Sequence, residues 1–176
     1  QKLLKKIKEY EDHTDLVEVK IGEFLMELSR LELSSDGSRR VQSFLSVINH
    51  MESIGDIYYQ MSRSVAQKIE KKIWFDQPQR NDLQEMRDLV YQAMEISTKT
   101  LTQNPKDINL EKAIELEELI NKKRDKLRAK YFKRMEKGKI NLEAGLIFMD
   151  LVSGYEKIAD NLIHVSEALR GDHLDL

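Results

Sequence analysis

Residues 47–56 read VINHMESIGD, and residues 151–160 read LVSGYEKIAD. When the chain is shifted against itself by 104 residues, these two stretches superpose, with apolar residues at matching positions. Each stretch ends in a Glu-x-x-x-Asp pair, Glu52/Asp56 in the first and Glu156/Asp160 in the second. An internal repeat is typical of a fold assembled from copies of one supersecondary unit. The sequence therefore predicts two copies of a helical unit, each carrying one acidic pair.

The repeat extends beyond these two stretches. The further matched pairs are Phe44 with Phe148 at the same shift and, at a shift of 106 residues, Glu11 with Glu117 and Asp15 with Asn121. We therefore expect an incomplete first repeat at residues 1–76 and a complete three-helix repeat at residues 77–176. Because Gln1 lies inside a periodic pattern, we also expect the natural protein to extend further toward its N-terminus.

Apolar residues recur every three or four positions along five stretches, which is the spacing of amphipathic helices. No stretch alternates apolar and polar residues, so the predicted fold class is all-α, with tandem antiparallel helical bundles of five long helices. The predicted helices cover residues 2–33, 39–75, 82–103, 107–137 and 141–169. The residues expected to face inward on the first two helices are Leu3, Ile7, Tyr10, Thr14, Val17, Ile21, Phe24, Leu28 and Leu31, then Phe44, Val47, Ile48, Met51, Ile54, Tyr58 and Val65.

The composition excludes several classes of protein. The chain has no cysteine, so disulfides and zinc-thiolate or iron–sulfur sites are excluded, and a reducing compartment fits. A net charge of −2 argues against nucleic acid as the main partner. No apolar run reaches the length of a membrane span. No glycine-rich phosphate loop or nucleophile elbow is present, so we expect no catalytic activity.

Each acidic pair lies on one flank of its helix's apolar stripe, at the same angle from the stripe in both repeats. The preceding helix of each repeat carries acids on a matching flank. Carboxylates four residues apart repel each other, and two facing sets repel more unless a cation lies between them. Oxygen ligands of this kind suit Mg²⁺, Ca²⁺, Mn²⁺ or iron. Ion pairs with neighbouring Lys and Arg are the alternative. Gly55 and Ala159, before each Asp, would let the helices approach closely.

The segments Met51–Asp56 and Tyr155–Asp160 resemble the Glu-Arg-Ile-Gly/Ala-Asp signature of the PhoU family. The segment Tyr10–Glu18 is similar to an acidic segment in the PhoU-like cytoplasmic domain of bacterial sodium/phosphate cotransporters. The resemblance implies paired three-helix bundles, metal clusters at acidic pairs in some members, and a regulatory role in phosphate uptake without catalysis.

Carried over by position, the resemblance implies two metal sites. The first would use Glu11, Asp15, Glu52 and Asp56, and the second Glu117, Asn121, Glu156 and Asp160. The second site departs from the family's pattern because Asn121 is neutral and Arg124 stands where the first repeat has Glu18. We therefore expect any metal to favour the first site.

Three other features have ordinary structural interpretations. The basic residues between Lys122 and Lys139 are expected to form a solvated face, with contact to anionic lipid as the alternative. Trp74 and Phe75 are expected to pack the two halves together. His164 is expected on the surface.

Four functions compete at this point. The favoured one is a regulatory domain on the cytoplasmic side of the inner membrane, in one polypeptide with a sodium-dependent phosphate transporter. The alternatives are a free-standing PhoU-type regulator and a metal-free interaction module, while a di-metal oxidoreductase is disfavoured because no Glu-x-x-His pair is present. We also expect a homo-oligomer, in which a symmetric partner or a rearranged helix covers the first repeat's open apolar stripe.

Overall fold

The computed structural model describes residues 2–171. This part of the chain contains five α-helices and no strand, which confirms the predicted fold class. A short 3₁₀ turn at Pro105–Asp107 lies between the third and fourth helices. The helices are α1 (Lys2–Ser29), α2 (Ser35–Glu70), α3 (Gln77–Thr100), α4 (Glu111–Glu136) and α5 (Leu142–Arg170).

Helix α5 lies at the centre of the fold and packs against α2, α3 and α4. Its sequence is the most apolar of the five helices, and thirteen of its residues are buried. Phe148 is fully buried and contacts the rings of Tyr131 on α4 and Phe75 before α3. Burial of this kind supplies most of the free energy that holds the helices together.

Polar caps set several of the helix boundaries. The Ser34 hydroxyl accepts from the Gly37 amide at 3.1 Å and begins α2. Asp76 and Gln79 form a reciprocal capping box that begins α3, with Pro78 in the first turn. The predicted start of this helix at residue 82 was therefore wrong, because the apparent junction at residues 76–81 supplies its cap and first turn.

The first repeat is much less buried than the second. In α1 only Leu25 is buried, and in α2 only Val41 and Val47 are. Several residues that were predicted to face inward are instead exposed. On α2 these are Phe44, Met51 and Val65, and on α1 they are Leu3, Tyr10, Val17, Ile21, Phe24 and Leu31.

One further expectation was partly wrong. Phe75 packs into the core as predicted, but Trp74 is 80% exposed and lies near the Lys68 ammonium group.

No helix among residues 2–171 is long and apolar enough to cross a membrane.

Helices α1 and α2 approach each other closely at Gly55. A Cβ atom at this position would lie 2.7 Å from Thr14 Oγ1, which is closer than side chains allow. The Thr14 hydroxyl is itself fixed, because it donates to the Glu11 carbonyl oxygen at 2.8 Å. The predicted role of Gly55 in close helix packing is therefore confirmed by this contact.

Candidate functional site: the acidic pairs of the two repeats

In the first repeat, Glu52 of α2 lies among carboxylates. Burial raises its pKa, and the charges of Glu18, Asp15 and Asp56 raise it further. Its side chain accepts a long hydrogen bond from the Ser53 hydroxyl at 3.4 Å. Because the three charges acting on Glu52 are all negative, this part of the α1–α2 contact carries repulsion between the two helices.

The other acids of the first repeat have polar partners of their own. Glu11 pairs with Lys8, whose ammonium group also lies 2.9 Å from Asp12. Asp56 accepts from the Gln60 amide at 2.8 Å. In the amide orientation that satisfies both ends of the Asn49 side chain, its nitrogen donates to Glu18 at 3.2 Å. Glu11 is thus partly neutralised, while Glu52 and Glu18 are not.

In the second repeat, Arg124 of α4 occupies the corresponding place. Its guanidinium donates to Glu156 of α5 and, at 3.1 Å, to the side-chain oxygen Oδ1 of Asn121. The side-chain amide of Asn121 in turn donates to the Glu117 carboxylate. The pair formed by Arg124 and Glu156 is largely shielded from solvent. Here the predicted ligands are held together by an internal cation.

Asp160 lies one turn beyond Glu156 and is half-buried. Burial raises its pKa from the ordinary 3.8 to about 6, and the charges of Glu156 and Glu117 add to the shift. Arg124 and His164 oppose it. The second acidic site therefore holds one carboxyl whose charge changes just below neutral pH.

These arrangements decide how well each site suits a hard cation. At the first site the donors are carboxylate oxygens and the excess charge is negative, so the chemistry fits. At the second site the Arg124 guanidinium already occupies Glu156 and Asn121, so a cation does not fit. Within residues 2–171, no three His, Cys, Asp or Glu side chains converge closely enough to form a ready-made metal site.

Sequence reasoning missed two sets of contacts. The basic residues of α4 do not form only a solvated face, because Lys123 pairs with Glu85 and Lys130 with Asp82 of α3. His164 is half-buried and lies with its ring centroid 5.1 Å from that of His50, which itself contacts Asn161 at 2.8 Å. Lys123 and Lys130 are seven residues apart, and this spacing is the sequence signal that could have indicated a contact with another helix.

Comparison with known protein families gives a match in the second half of the chain. Residues 83–169, just under half of the sequence, match the family model of the PhoU domain. No curated protein and no solved structure matches the chain. The match supports a PhoU-like family, and the five-helix architecture is consistent with a PhoU-like helical bundle. It indicates a regulatory role in phosphate transport.

Proposed function

We propose that this chain is a regulatory, non-catalytic module of a sodium-dependent phosphate transporter, acting on the cytoplasmic side of the membrane. The family match supports the link to phosphate transport. The resemblance of Tyr10–Glu18 to the cotransporter branch supports a transporter within the same polypeptide. A free-standing PhoU-type regulator is the alternative.

The regulatory signal in this proposal is a hard cation, such as Mg²⁺, Mn²⁺, Ca²⁺ or iron, bound between α1 and α2. The observation that supports it is the position of Glu52, partly buried with Glu18, Asp15 and Asp56 as the charges that act on it. Glu52 and Asp56 would bind the cation from α2, and Asp15 and Glu11 from α1. Neutralising these carboxylates would remove the repulsion between the helices and strengthen their contact.

Metal titration tests the proposed site. Calorimetry with Mn²⁺ should show binding to the wild-type chain that Glu52→Gln weakens by about tenfold or more, because a charged oxygen ligand is lost. Glu156→Gln should leave the affinity within about twofold, since Arg124 already neutralises that site. The exposed Asp12→Asn variant is the control for general loss of charge.

Equal loss of Mn²⁺ binding in the Glu52→Gln and Glu156→Gln variants would contradict the predicted inequality of the sites. No binding to the wild-type chain would leave a metal-free interaction module as the better function. The intact coding sequence tests the transporter separately: membrane-spanning helices in the same polypeptide are expected. A polypeptide without them would favour the free-standing regulator.

A further inference from the structure

The connection between α2 and α3 exposes the single tryptophan of the chain. Trp74 is 80% exposed, although its neighbour Phe75 is buried in the core. Ile69, in the last turn of α2, is also 66% exposed. One exposed apolar side chain is ordinary, but a group of them at one place indicates a contact with another molecule.

A second connection, between α4 and α5, lies at the same end of the fold. The Lys71 ammonium group pairs with Glu143 in the first turn of α5. Arg134, in the last turn of α4, pairs with Asp76, the cap of α3. Leu142, the first residue of α5, is 65% exposed. Because these ion pairs join the two connections, their exposed apolar side chains lie at one end of the molecule.

This end of the fold is basic. Residues 68–76 and 133–143, which we call the Trp74 surface, contain seven basic and four acidic side chains, a net charge of +3 in a chain whose total is −2. Two of the four acids, Asp76 and Glu143, are already held in ion pairs. The exposed lysines are Lys71, Lys72, Lys133, Lys137 and Lys139. Positive charge therefore surrounds the exposed apolar side chains.

The turn that carries Trp74 has a defined geometry. Lys72 has a φ of 54°, a conformation that residues other than glycine rarely adopt, and the Ile73 amide donates to the Lys68 carbonyl oxygen at 2.9 Å. The Lys68 ammonium group lies 5.3 Å from the centre of the Trp74 ring and 4.8 Å from that of Phe75. The indole ring is thus held beyond the end of α2 with a cation beside it.

We propose that the Trp74 surface binds the headgroup region of an anionic lipid bilayer. The indole ring enters the boundary between headgroups and acyl chains, where tryptophan is favoured because its ring is apolar and its N–H is polar. Ile69 and Leu142 contact the acyl chains beside it, and the lysines contact the lipid phosphate groups. An apolar anchor and a basic patch bind a membrane together where either alone binds weakly.

The composition of the surface favours a membrane over a protein partner. Lysine is depleted in protein–protein interfaces, whereas lysines around an exposed tryptophan are typical of proteins that bind anionic lipid. This inference goes beyond the proposed function, which assigns no residue to the membrane. It does not depend on the metal site between α1 and α2 or on a transporter in the same polypeptide.

The fluorescence of Trp74 tests the proposal, because the chain has no other tryptophan. Vesicles of equal parts phosphatidylserine and phosphatidylcholine should shift the emission to shorter wavelength and protect the ring from acrylamide, since the indole leaves water. About 1 M salt, where the Debye length falls to about 3 Å, should weaken binding by about tenfold or more. An unchanged spectrum, or an equal shift with phosphatidylcholine alone, would overturn the proposal.

A variant of the tryptophan locates the apolar part of the contact. Trp74→Ala should weaken co-sedimentation with the anionic vesicles by about tenfold or more, because the inserted ring is lost. Tyr91→Ala is the matched control, since Tyr91 is an aromatic residue of α3 that is 61% exposed, and it should change binding by no more than about twofold. Equal weakening by both variants would contradict the assignment. If circular dichroism showed Trp74→Ala to be unfolded, acrylamide protection of the wild-type ring would decide the question.

Charge reversal tests the basic part. The double variant Lys72→Glu, Lys139→Glu should weaken vesicle binding by about tenfold or more, since both lysines face the lipid phosphates. The double variant Lys106→Glu, Lys112→Glu makes the same change of charge at the opposite end, where α3 joins α4. A similar loss of binding in the two double variants would mean that net charge, and not the Trp74 surface, controls the contact.

Two other results would remove the surface from the membrane. A wild-type dimer in sedimentation that Trp74→Ala converts to a monomer, with no vesicle binding, would assign the surface to a second copy of the chain. A failure to bind vesicles, together with membrane-spanning helices in the intact coding sequence, would overturn this inference and leave the proposed function standing.

Discussion

The half-buried carboxyl of Asp160 illustrates how single residues give the two repeats different properties. Its pKa is raised to about 6 by burial and by its acidic neighbours, whereas Arg124 limits the shift. The neutral form is therefore favoured in the folded state. Its contribution to stability is fully present below the unfolded pKa of 3.8 and is lost as the pH rises through about 6.

Asp160→Asn should consequently stabilise the protein at neutral pH and not in acid. We expect a gain of about 1 kcal/mol at pH 7.5, after allowance for solvent screening, and little difference near pH 4. Urea unfolding at several pH values measures this. The exposed Asp150→Asn variant should show no such pH-dependent gain. A gain for Asp160→Asn that is constant with pH would contradict the assigned cause.

At the scale of the element, the close approach of α1 and α2 depends on one glycine. Gly55→Ala should destabilise the protein by about 1–2 kcal/mol, since the new methyl group would meet the fixed Thr14 hydroxyl. Gly22→Ala is the matched control: its Cβ would lie 4.0 Å from Ile48, an ordinary contact. We expect it to stabilise α1 by about 0.5–1 kcal/mol.

Thermal unfolding of these two variants gives the comparison. Restoration of stability in the double variant Gly55→Ala, Thr14→Ala would confirm that the clash, and not the loss of glycine itself, is responsible. If Gly55→Ala and Gly22→Ala changed the melting temperature equally, the close contact would have no energetic role.

The number and type of the helices could be predicted from apolar spacing, but some of their ends and outward faces could not. Asp76 and Gln79 form a cap, yet Pro78 made the same segment look like a junction. Periodicity also identifies an apolar stripe without showing which neighbour covers it. This is why the apolar stripe of α1 was expected to face inward and Phe24 is instead exposed.

The acids that the two repeats share could be matched by sequence, but their contacts could not. Glu18 and Arg124 occupy matching positions of the two repeats. That difference correctly indicated a positive charge within the acidic cluster of the second repeat. The contact between His50 and His164 depends on how α2 crosses α5. Such a crossing is fixed by packing over many residues, so no local pattern in the sequence could reveal it.

At the scale of the whole molecule, buried apolar area is distributed unevenly. The buried side chains of the main core come chiefly from α3, α4 and α5, while the one buried side chain of α1, Leu25, lies outside that core. Hydrogen exchange should therefore show α1 amides exchanging at least about tenfold faster than those of α5, through opening of α1 alone. Equal protection of α1 and α5 would mean that the chain opens only as one unit.

Helix α5 packs against three other helices, and α1 packs mainly against one. A substitution in α5 must satisfy several neighbours at once, so few changes there can be accepted during evolution. The exposed side chains of α1 have no such set of neighbours, so changes there leave the core undisturbed. The two ends of the fold therefore differ in how far their sequences are free to vary while the core is preserved.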